Sequence, residues 1–454
     1  MILRTAACVL LLAAMALAQE APGTPPSEEP ETQRTEYGGP SILSRGFIPS
    51  LAQITELVRL RPYVGAHAFY DAGLTPYSVT ATGEVPRRDN WGTEASFGAQ
   101  GYHPWRRSLL GMQYQGRLRH NSRHSYHDGF DNTLSLNFVH RPSSRIIFAV
   151  SSAAASYSRG FFLPAAGSDF YNPDVADLTG NELFDNRVTA VSASGRLIYQ
   201  KSARLSFSLG GSGFTARRHV QTLIGVDGYR TNGDVGYRLS RYQTIGVDYS
   251  FAHYEFRNLF GGTDAHGAGV NWSVQLGRHW GLGLRAGGHR VEVSRLEKVP
   301  LDPVIVAIVG MRSGITTSYR RFYTPSFNGH LTRSFPRASL SFQYNRGLSA
   351  GNDLYLTSGV ENAAVSYHYS GIRRVGLGVS AGVMTRRAFV QDLGRYTNYH
   401  GEGSFSYRLG RGLSFSATAG VRRHELLNSQ FERLASRFSA GINFSPGEVP
   451  FSIW

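Results

Sequence analysis

The stretch RFSAGINFSP, residues 437–446 near the end of the chain, decides the fold. Phe438, Ala440, Ile442 and Phe444 occupy every second position, and arginine, serine, glycine and asparagine fill the positions between them. Successive side chains of a β-strand point to opposite faces. The stretch therefore predicts a strand with one apolar face and one polar face.

The same alternation recurs in about eighteen segments between Tyr63 and Ser445. Clear examples are Leu110–Leu118, Val270–Leu276 and Leu413–Val421. The connections alternate between eight short turns that contain arginine and nine longer polar loops. Nine hairpins joined by eight turns predict eighteen antiparallel strands. The first strand then begins, and the last strand ends, on the short-turn side.

Composition excludes several classes of protein. The 454 residues carry a net charge of +15, and charged residues make up only 17% of them, below the roughly 25% of soluble domains. No apolar run approaches the ~18 residues of a transmembrane helix, which excludes a helical membrane protein. We expect no nucleic-acid partner, because the arginines are scattered along the strands and not gathered on a helix.

The first residues predict an export signal. Arg4 supplies the positive start, Cys8–Leu17 the apolar core, and Ala16–Ala18 the small-residue cleavage site. We therefore expect a signal peptide over residues 1–18, a flexible periplasmic leader over 19–60 with a short helix at Leu51–Val58, and a barrel over 61–454. Cys8 is the only cysteine, so the mature chain is expected to lack disulfides and thiolate metal sites.

The chain resembles the outer-membrane β-barrel (porin-like) superfamily in three respects. Short and long connections alternate along it, the strand count is even, and aromatic residues such as Trp105, Trp280 and Tyr407 lie beside the short turns. The aromatic end Phe451–Trp454 is similar to the terminal assembly signal of such barrels, although Ser445-Pro446-Gly447 interrupts the last strand before it. No short motif indicates one named family.

The resemblance implies an all-β fold, a closed antiparallel transmembrane β-barrel of 16–18 strands, with eighteen the preferred count. Short turns would be periplasmic and longer loops extracellular, in the cell outer membrane. The implied partners are outer-membrane lipids and lipopolysaccharide, the barrel-assembly machinery, and further copies of the chain in a homo-oligomer.

Charges on the polar face are the main functional signal. Ten arginines are expected to line the lumen, against the four acids Glu94, Asp234, Asp248 and Glu402. A positive lumen favours anions, and the alternative is a wall that is merely wettable. The ten predicted pore-lining arginines are Arg117, Arg119, Arg196, Arg230, Arg238, Arg285, Arg386, Arg408, Arg422 and Arg437.

Two loops differ from the rest. The third, Gly160–Asn186, is a candidate constriction that sets five acids against the arginine wall; a surface cap, holding a divalent cation, is the alternative. Its acids are Asp169, Asp174, Asp177, Glu182 and Asp185. The sixth, Glu297–Phe322, contains the apolar run Val304–Val309, which suits a strand extension, a plug or a protein contact.

The leading function is therefore an outer-membrane channel for passive diffusion of small, preferably anionic, solutes. The alternatives are a conduit for an acidic polysaccharide or other polymer, a structural or adhesive surface barrel, and a barrel lipid hydrolase. The hydrolase is disfavoured because serine, histidine and asparagine fall mostly on the wet face, away from lipid. The polar-face histidines lie in different strands, so we expect no metal site, no cofactor and no catalytic residues.

Overall fold

The computed structural model describes residues 60–74, 88–122, 128–157, 187–220, 223–257, 261–300, 313–351, 356–389, 394–410, 412–426 and 432–446. The predicted signal peptide, the leader up to residue 59, the acids of the third loop, Val304–Val309 and Phe451–Trp454 lie outside these ranges. No helix long and apolar enough to cross a bilayer occurs among the described residues.

The described residues form eighteen strands, as the alternation predicts. They are β1 Arg61–Leu74, β2 Arg88–Pro104, β3 Ser108–Asn121, β4 Gly129–Ser143, β5 Ile146–Tyr157, β6 Val188–Gln200, β7 Leu205–Arg218, β8 Gly225–Arg238, β9 Gln243–Arg257, β10 Gly262–Leu276, β11 Trp280–Pro300, β12 Ser313–Ser334, β13 Ala338–Ser349, β14 Ser358–Tyr369, β15 Val375–Ala388, β16 Arg395–Arg408, β17 Leu413–Leu426 and β18 Glu432–Phe444.

Each strand pairs antiparallel with its neighbours in sequence, and the last strand pairs with the first. Val64 of β1 lies opposite Phe444 of β18 on one side and opposite Phe97 of β2 on the other. The sheet is therefore closed and has no edge within the barrel wall, where the backbone groups of each strand have partners on both sides. This confirms the predicted all-β closed barrel and its count of eighteen.

The two faces of each strand differ as the alternation predicts. In the stretch at the end of the chain, Phe438 is 52% exposed on the outer face, whereas Arg437 is 8% exposed on the inner face. The outer face of other strands carries exposed apolar residues such as Leu209, Val247 and Val379. Eighteen strands spaced about 4.8 Å apart and tilted by about 40° give a backbone cylinder roughly 35 Å across.

The eight short connections all lie at one end of the barrel, with the start of β1 and the end of β18. The turn between β2 and β3 consists of residues 105–107, and the backbone N–H of Trp105 donates to Ser108 O at 2.7 Å. Beside the turns, Trp105, Tyr199, Tyr237 and Tyr407 are exposed on the outer face. Arg333 lies over the rings of Trp280 and Phe335, at 4.8 and 4.4 Å from their centroids. This belt matches an interfacial aromatic girdle.

The predicted sixth loop, Glu297–Phe322, is wrong in its bounds. Strand β11 continues to Pro300 and β12 begins at Ser313, with Leu296 opposite Thr317 in the paired extension. Tyr319 and Tyr323 are strongly exposed there. The two-stranded ribbon of β11 and β12 projects beyond the apolar outer surface of the barrel, so both of its faces are exposed to water. It therefore loses the apolar alternation by which the sequence marks a strand.

Candidate functional site

The ten predicted pore-lining arginines all lie at inner-face positions, each an odd number of residues from exposed apolar neighbours on the same strand. They are spread over β3, β6, β8, β11 and β15–β18. The structure brings Arg117, Arg119 and Arg437 together around one carboxylate, and the other seven lie elsewhere on the wall. Their part in conduction stays a prediction.

Glu94 of β2 is the centre of a group that brings three of these arginines together. Its Oε1 lies 3.2 Å from Arg117 Nη1, and its Oε2 lies 3.4 Å from Arg119 Nη2 and 3.0 Å from Arg437 Nη2. The carboxylate and Arg119 are nearly fully buried. A buried carboxylate that accepts from several guanidinium groups holds neighbouring strands in fixed register.

Two further acids, not among the four expected, complete this Glu94 cluster. Arg119 Nη2 lies 3.1 Å from Asp131 Oδ2, and Arg437 Nε lies 3.7 Å from Asp71 Oδ1. The ring of Phe69 lies beneath the guanidinium carbons of Arg437 and Arg119, at 4.9 and 5.6 Å. Asp131 ends Asn121–Asp131, which is one of the nine longer polar loops predicted from the sequence, and Asp71 ends the alternation of β1. Each lies an even number of positions from inward-facing residues of its own strand, so the alternation alone would have placed both acids on the inner face.

Arg285, outside the Glu94 cluster, is a fourth arginine that pairs with an inward acid. Its Nε lies 2.9 and 3.0 Å from the two oxygens of Asp248, and its Nη2 lies 2.6 Å from Asp248 Oδ2. Nη1 donates to Ser326 Oγ at 3.1 Å. Six acids therefore lie at inner-face positions of the wall: the four expected, Glu94, Asp234, Asp248 and Glu402, together with Asp71 and Asp131.

The exposure of side chains along the inner face of β16 changes from one end of the barrel to the other. Along its inner face, Tyr396 is 0% and Asn398 3% exposed at the long-loop end. Glu402, Ser404, Ser406 and Arg408, toward the short turns, are exposed. On this side of the barrel the wall is covered near the long loops and open to water near the short turns.

The covered end of the lumen has two chemically different sides. Charged and polar residues line it on β15–β18 and β1–β4, including Arg386, Arg437, Glu94 and Asp131. A buried apolar cluster lines the opposite side on β5–β11: Ala153, Ala155, Ala190, Ala216, Val226, Ala252, Tyr254, Phe256, Ala265, Val291 and Val293. A solute that passes this end meets cationic and anionic groups on one side and hydrocarbon on the other.

A loop that the sequence did not single out reaches into this end. The connection between β13 and β14, residues 350–357, places Ala350 in the apolar cluster, with Leu356 packed against it. Thr357 Oγ1 donates to Thr263 Oγ1 at 2.9 Å, and both residues are buried. Thr263 belongs to β10, four strands away around the wall, so this β13–β14 loop crosses part of the lumen.

The third loop with its five acids lies outside the described residues, so its place as constriction or cap stays a prediction. Within the described ranges no group of three or more His, Cys, Asp or Glu residues is arranged to hold a metal ion. The inward histidines are distributed singly: His67 bonds to Asn443 at 2.9 Å, whereas His330, His368 and His400 lie on other strands.

Comparison with known proteins finds solved structures with a similar fold. No protein-family model and no curated protein matches the chain. Solved structures with a similar fold include Pseudomonas aeruginosa OccK2 (OpdF) in complex with glucuronate, at 12% identity and TM-score 0.42, covering 85% of this chain and 98% of that one. A BenF-like porin from Pseudomonas fluorescens Pf-5 has 12% identity and TM-score 0.42, covering 88% and 100%. Acinetobacter baumannii OccAB3 has 11% identity and TM-score 0.38, covering 85% and 99%.

The strand count, closure and two-faced wall are features of this chain's own structure. A closed antiparallel barrel of eighteen strands, apolar outside and polar within, has the architecture of the outer-membrane β-barrel (porin-like) superfamily. The resemblance seen in the sequence is thus confirmed for the fold.

Proposed function

We propose that the chain is an outer-membrane channel for passive diffusion of small, preferably anionic, solutes. The observation that carries the proposal is the inner face of β16, which is polar and exposed from Glu402 to Arg408 inside a closed barrel. Barrels of 16–18 strands are too wide for side chains to fill and leave an aqueous channel. The exposed apolar outer face supports contact with outer-membrane lipids and lipopolysaccharide, and insertion by the barrel-assembly machinery.

The excess of arginine over acid on the inner face supports the anionic preference. The Glu94 cluster and the Arg285–Asp248 pair balance the charge of four arginines. Arg238 and Arg408, each the last residue of its strand, lie at the short-turn end of the wall. A guanidinium there can bind carboxylate or phosphate with two parallel hydrogen bonds. Because charges in a wide wet pore are screened over about 8 Å at physiological salt, the preference should be modest.

Reversal potentials in planar lipid bilayers test the proposal. We expect chloride to be preferred over potassium at low salt, with the preference fading at high salt. The double variant Arg238→Gln/Arg408→Gln should lower the preference. The matched control is Arg333→Gln, because Arg333 lies at the same end of the barrel on the outer face. A pore that strongly prefers cations would overturn the anionic proposal.

A structural surface barrel is the second candidate. The observation in its favour is the burial of Tyr396, Asn398 and Arg386 on the inner face near the long loops. If that end is sealed, the purified protein inserted in a bilayer should show no conductance. Channel openings at any voltage would exclude the sealed barrel.

A further inference from the structure

An apolar cluster faces the lumen at the short-turn end of the barrel. Leu109, Val139, Ile147 and Ile198 occupy inner-face positions on β3, β4, β5 and β6 and are 3–7% exposed. Each lies within a few residues of a short turn. Tyr102 and Ala149 pack against this inner apolar cluster. It is unrelated to the charged wall on which the proposed function rests.

Its burial is unexpected in a wall that is one strand thick. Leu110, the outer-face neighbour of Leu109, is 36% exposed. On the other side of the barrel, the inner residues at the same end, Ser404, Ser406 and Arg408, are exposed to the lumen. Side chains that face a water-filled channel are covered only when a second layer lies on them, and an uncovered apolar cluster would be unfavourable in water. The cluster therefore needs an occupant inside the barrel.

The chain itself supplies a segment of suitable chemistry and position. Strand β1 begins at the short-turn end, and Leu60 immediately precedes it. In the sequence before it, Leu51, Ile54, Leu57 and Val58 follow the spacing of one face of a helix, and Gln53 falls outside that face.

The distances also fit. From β1, the strands that carry the cluster are two to five strands away, which is roughly 10–25 Å at about 4.8 Å per strand. Residues 51–59 span about 14 Å as a helix and about 30 Å when extended. The segment can therefore reach the cluster without any displacement of β1.

We propose that Leu51–Val58 docks on the inner apolar cluster. The apolar residues of the segment cover Leu109, Val139, Ile147 and Ile198. The polar residues face the remaining lumen.

Site-directed cross-linking tests the docking without any transport measurement. Cys8 is the only cysteine, so in a Cys8→Ala background two introduced cysteines are the only thiols. Leu51→Cys, Ile54→Cys and Leu57→Cys are each combined with Leu109→Cys, and in matched controls with Leu110→Cys. A short bis-maleimide is applied to the barrel folded in lipid vesicles, with folding verified by its heat-dependent gel mobility. If Leu109→Cys prevents folding, Ile147→Cys and its outer-face neighbour Phe148→Cys replace the pair.

We expect at least one leader position to cross-link to the inner position and none to the outer position. Equal yields at both, or no cross-link to the inner position, would overturn the proposal and leave a lipid chain or another protein as the occupant. A second measurement is labelling of Leu109→Cys by a water-soluble maleimide. Ile54→Asp/Leu57→Asp should accelerate labelling at least tenfold, and Gln53→Asp should not. Unchanged labelling in the first variant would also overturn the docking. Neither result bears on whether the barrel conducts.

Discussion

Arg437 Nη2 donates to Glu94 Oε2 at 3.0 Å, although the two residues are 343 positions apart in the chain. Arg437 belongs to β18 and Glu94 to β2, so the hydrogen bond passes over the intervening strand β1, whose Phe69 ring lies 4.9 Å from the guanidinium carbon. The contact bridges the seam at which the last strand meets the first. It ties three strands together at the place where the barrel closes.

Removing the charge at Glu94 should therefore destabilise the barrel. Glu94→Gln leaves Arg117, Arg119 and Arg437 without their shared carboxylate in a buried setting. Breaking a buried ion pair by removing one partner costs about 3–5 kcal/mol. The free energy of unfolding, measured by urea titration of the folded barrel in lipid vesicles, should fall by this order. Glu402→Gln, on the exposed part of the inner face, is the control and should cost little. Equal losses for both variants would mean that the cluster contributes no more than an exposed acid.

The inside and outside of the wall can be tested on neighbouring residues. Val379 is exposed on the outer face and lies opposite Gly403, midway along β16. Val379→Arg should cost roughly 2–4 kcal/mol of folding free energy in a bilayer, because it places a charge near the midplane. Ser380→Arg should cost little, because Ser380 faces the lumen opposite Glu402. The reverse order of the two costs would contradict the assignment of faces.

Sequence alone predicts the strands well because the position of a residue along its own strand determines whether its side chain points into or out of the barrel. Phe438 and Arg437 are adjacent and point to opposite sides, so parity is sufficient to place them. The strand count follows from turn chemistry, since each short connection is marked by polar residues and arginine over two to five positions. Neither inference requires knowledge of which strands are neighbours.

The candidate site is harder to predict because it depends on register between strands. Glu94 meets Arg437 only because β1 has a definite alignment with both β2 and β18. Asp131 was assigned to a loop because the apolar alternation of β4 begins after it. The contact between Thr263 and Thr357 joins two uncharged residues through a loop that carries no distinctive motif. The extension of β11 and β12 was missed because alternation fails where both faces are wet.

The orientation of the barrel in the membrane is a separate prediction. Both ends of the barrel segment lie with the short turns, so we expect those turns to be periplasmic and the long loops to be extracellular. A protease site inserted between Asn428 and Ser429, in the connection of β17 to β18, should be cut on intact cells. The same site between Lys201 and Ser202, in a short turn, should be cut only after the outer membrane is permeabilised. The opposite pattern would mean that the barrel is inverted.

Two loops compete for the role of constriction, and their charges distinguish them. The β13–β14 loop enters the lumen through Ala350, Leu356 and Thr357, none of which is charged. Replacing residues 350–357 by a short Gly-Ser turn that retains one aspartate in place of Asp353 should therefore raise conductance and leave ion selectivity nearly unchanged.

Deleting Asp169–Asp185 from the third loop removes five acids. If these acids face the arginine wall, their removal should raise both conductance and the preference for chloride, most clearly at low salt where screening is weak. Deleting Asn428–Gln430 from the connection of β17 to β18 is the control and should change neither quantity. Single-channel recording with reversal potentials measures both. A third-loop deletion that leaves conductance and selectivity as they were would make that loop a surface cap and leave the β13–β14 loop as the constriction.

If shortening the β13–β14 loop also changed nothing, the narrowest point would lie elsewhere, and the short-turn mouth with its inner apolar cluster would be the next place to measure.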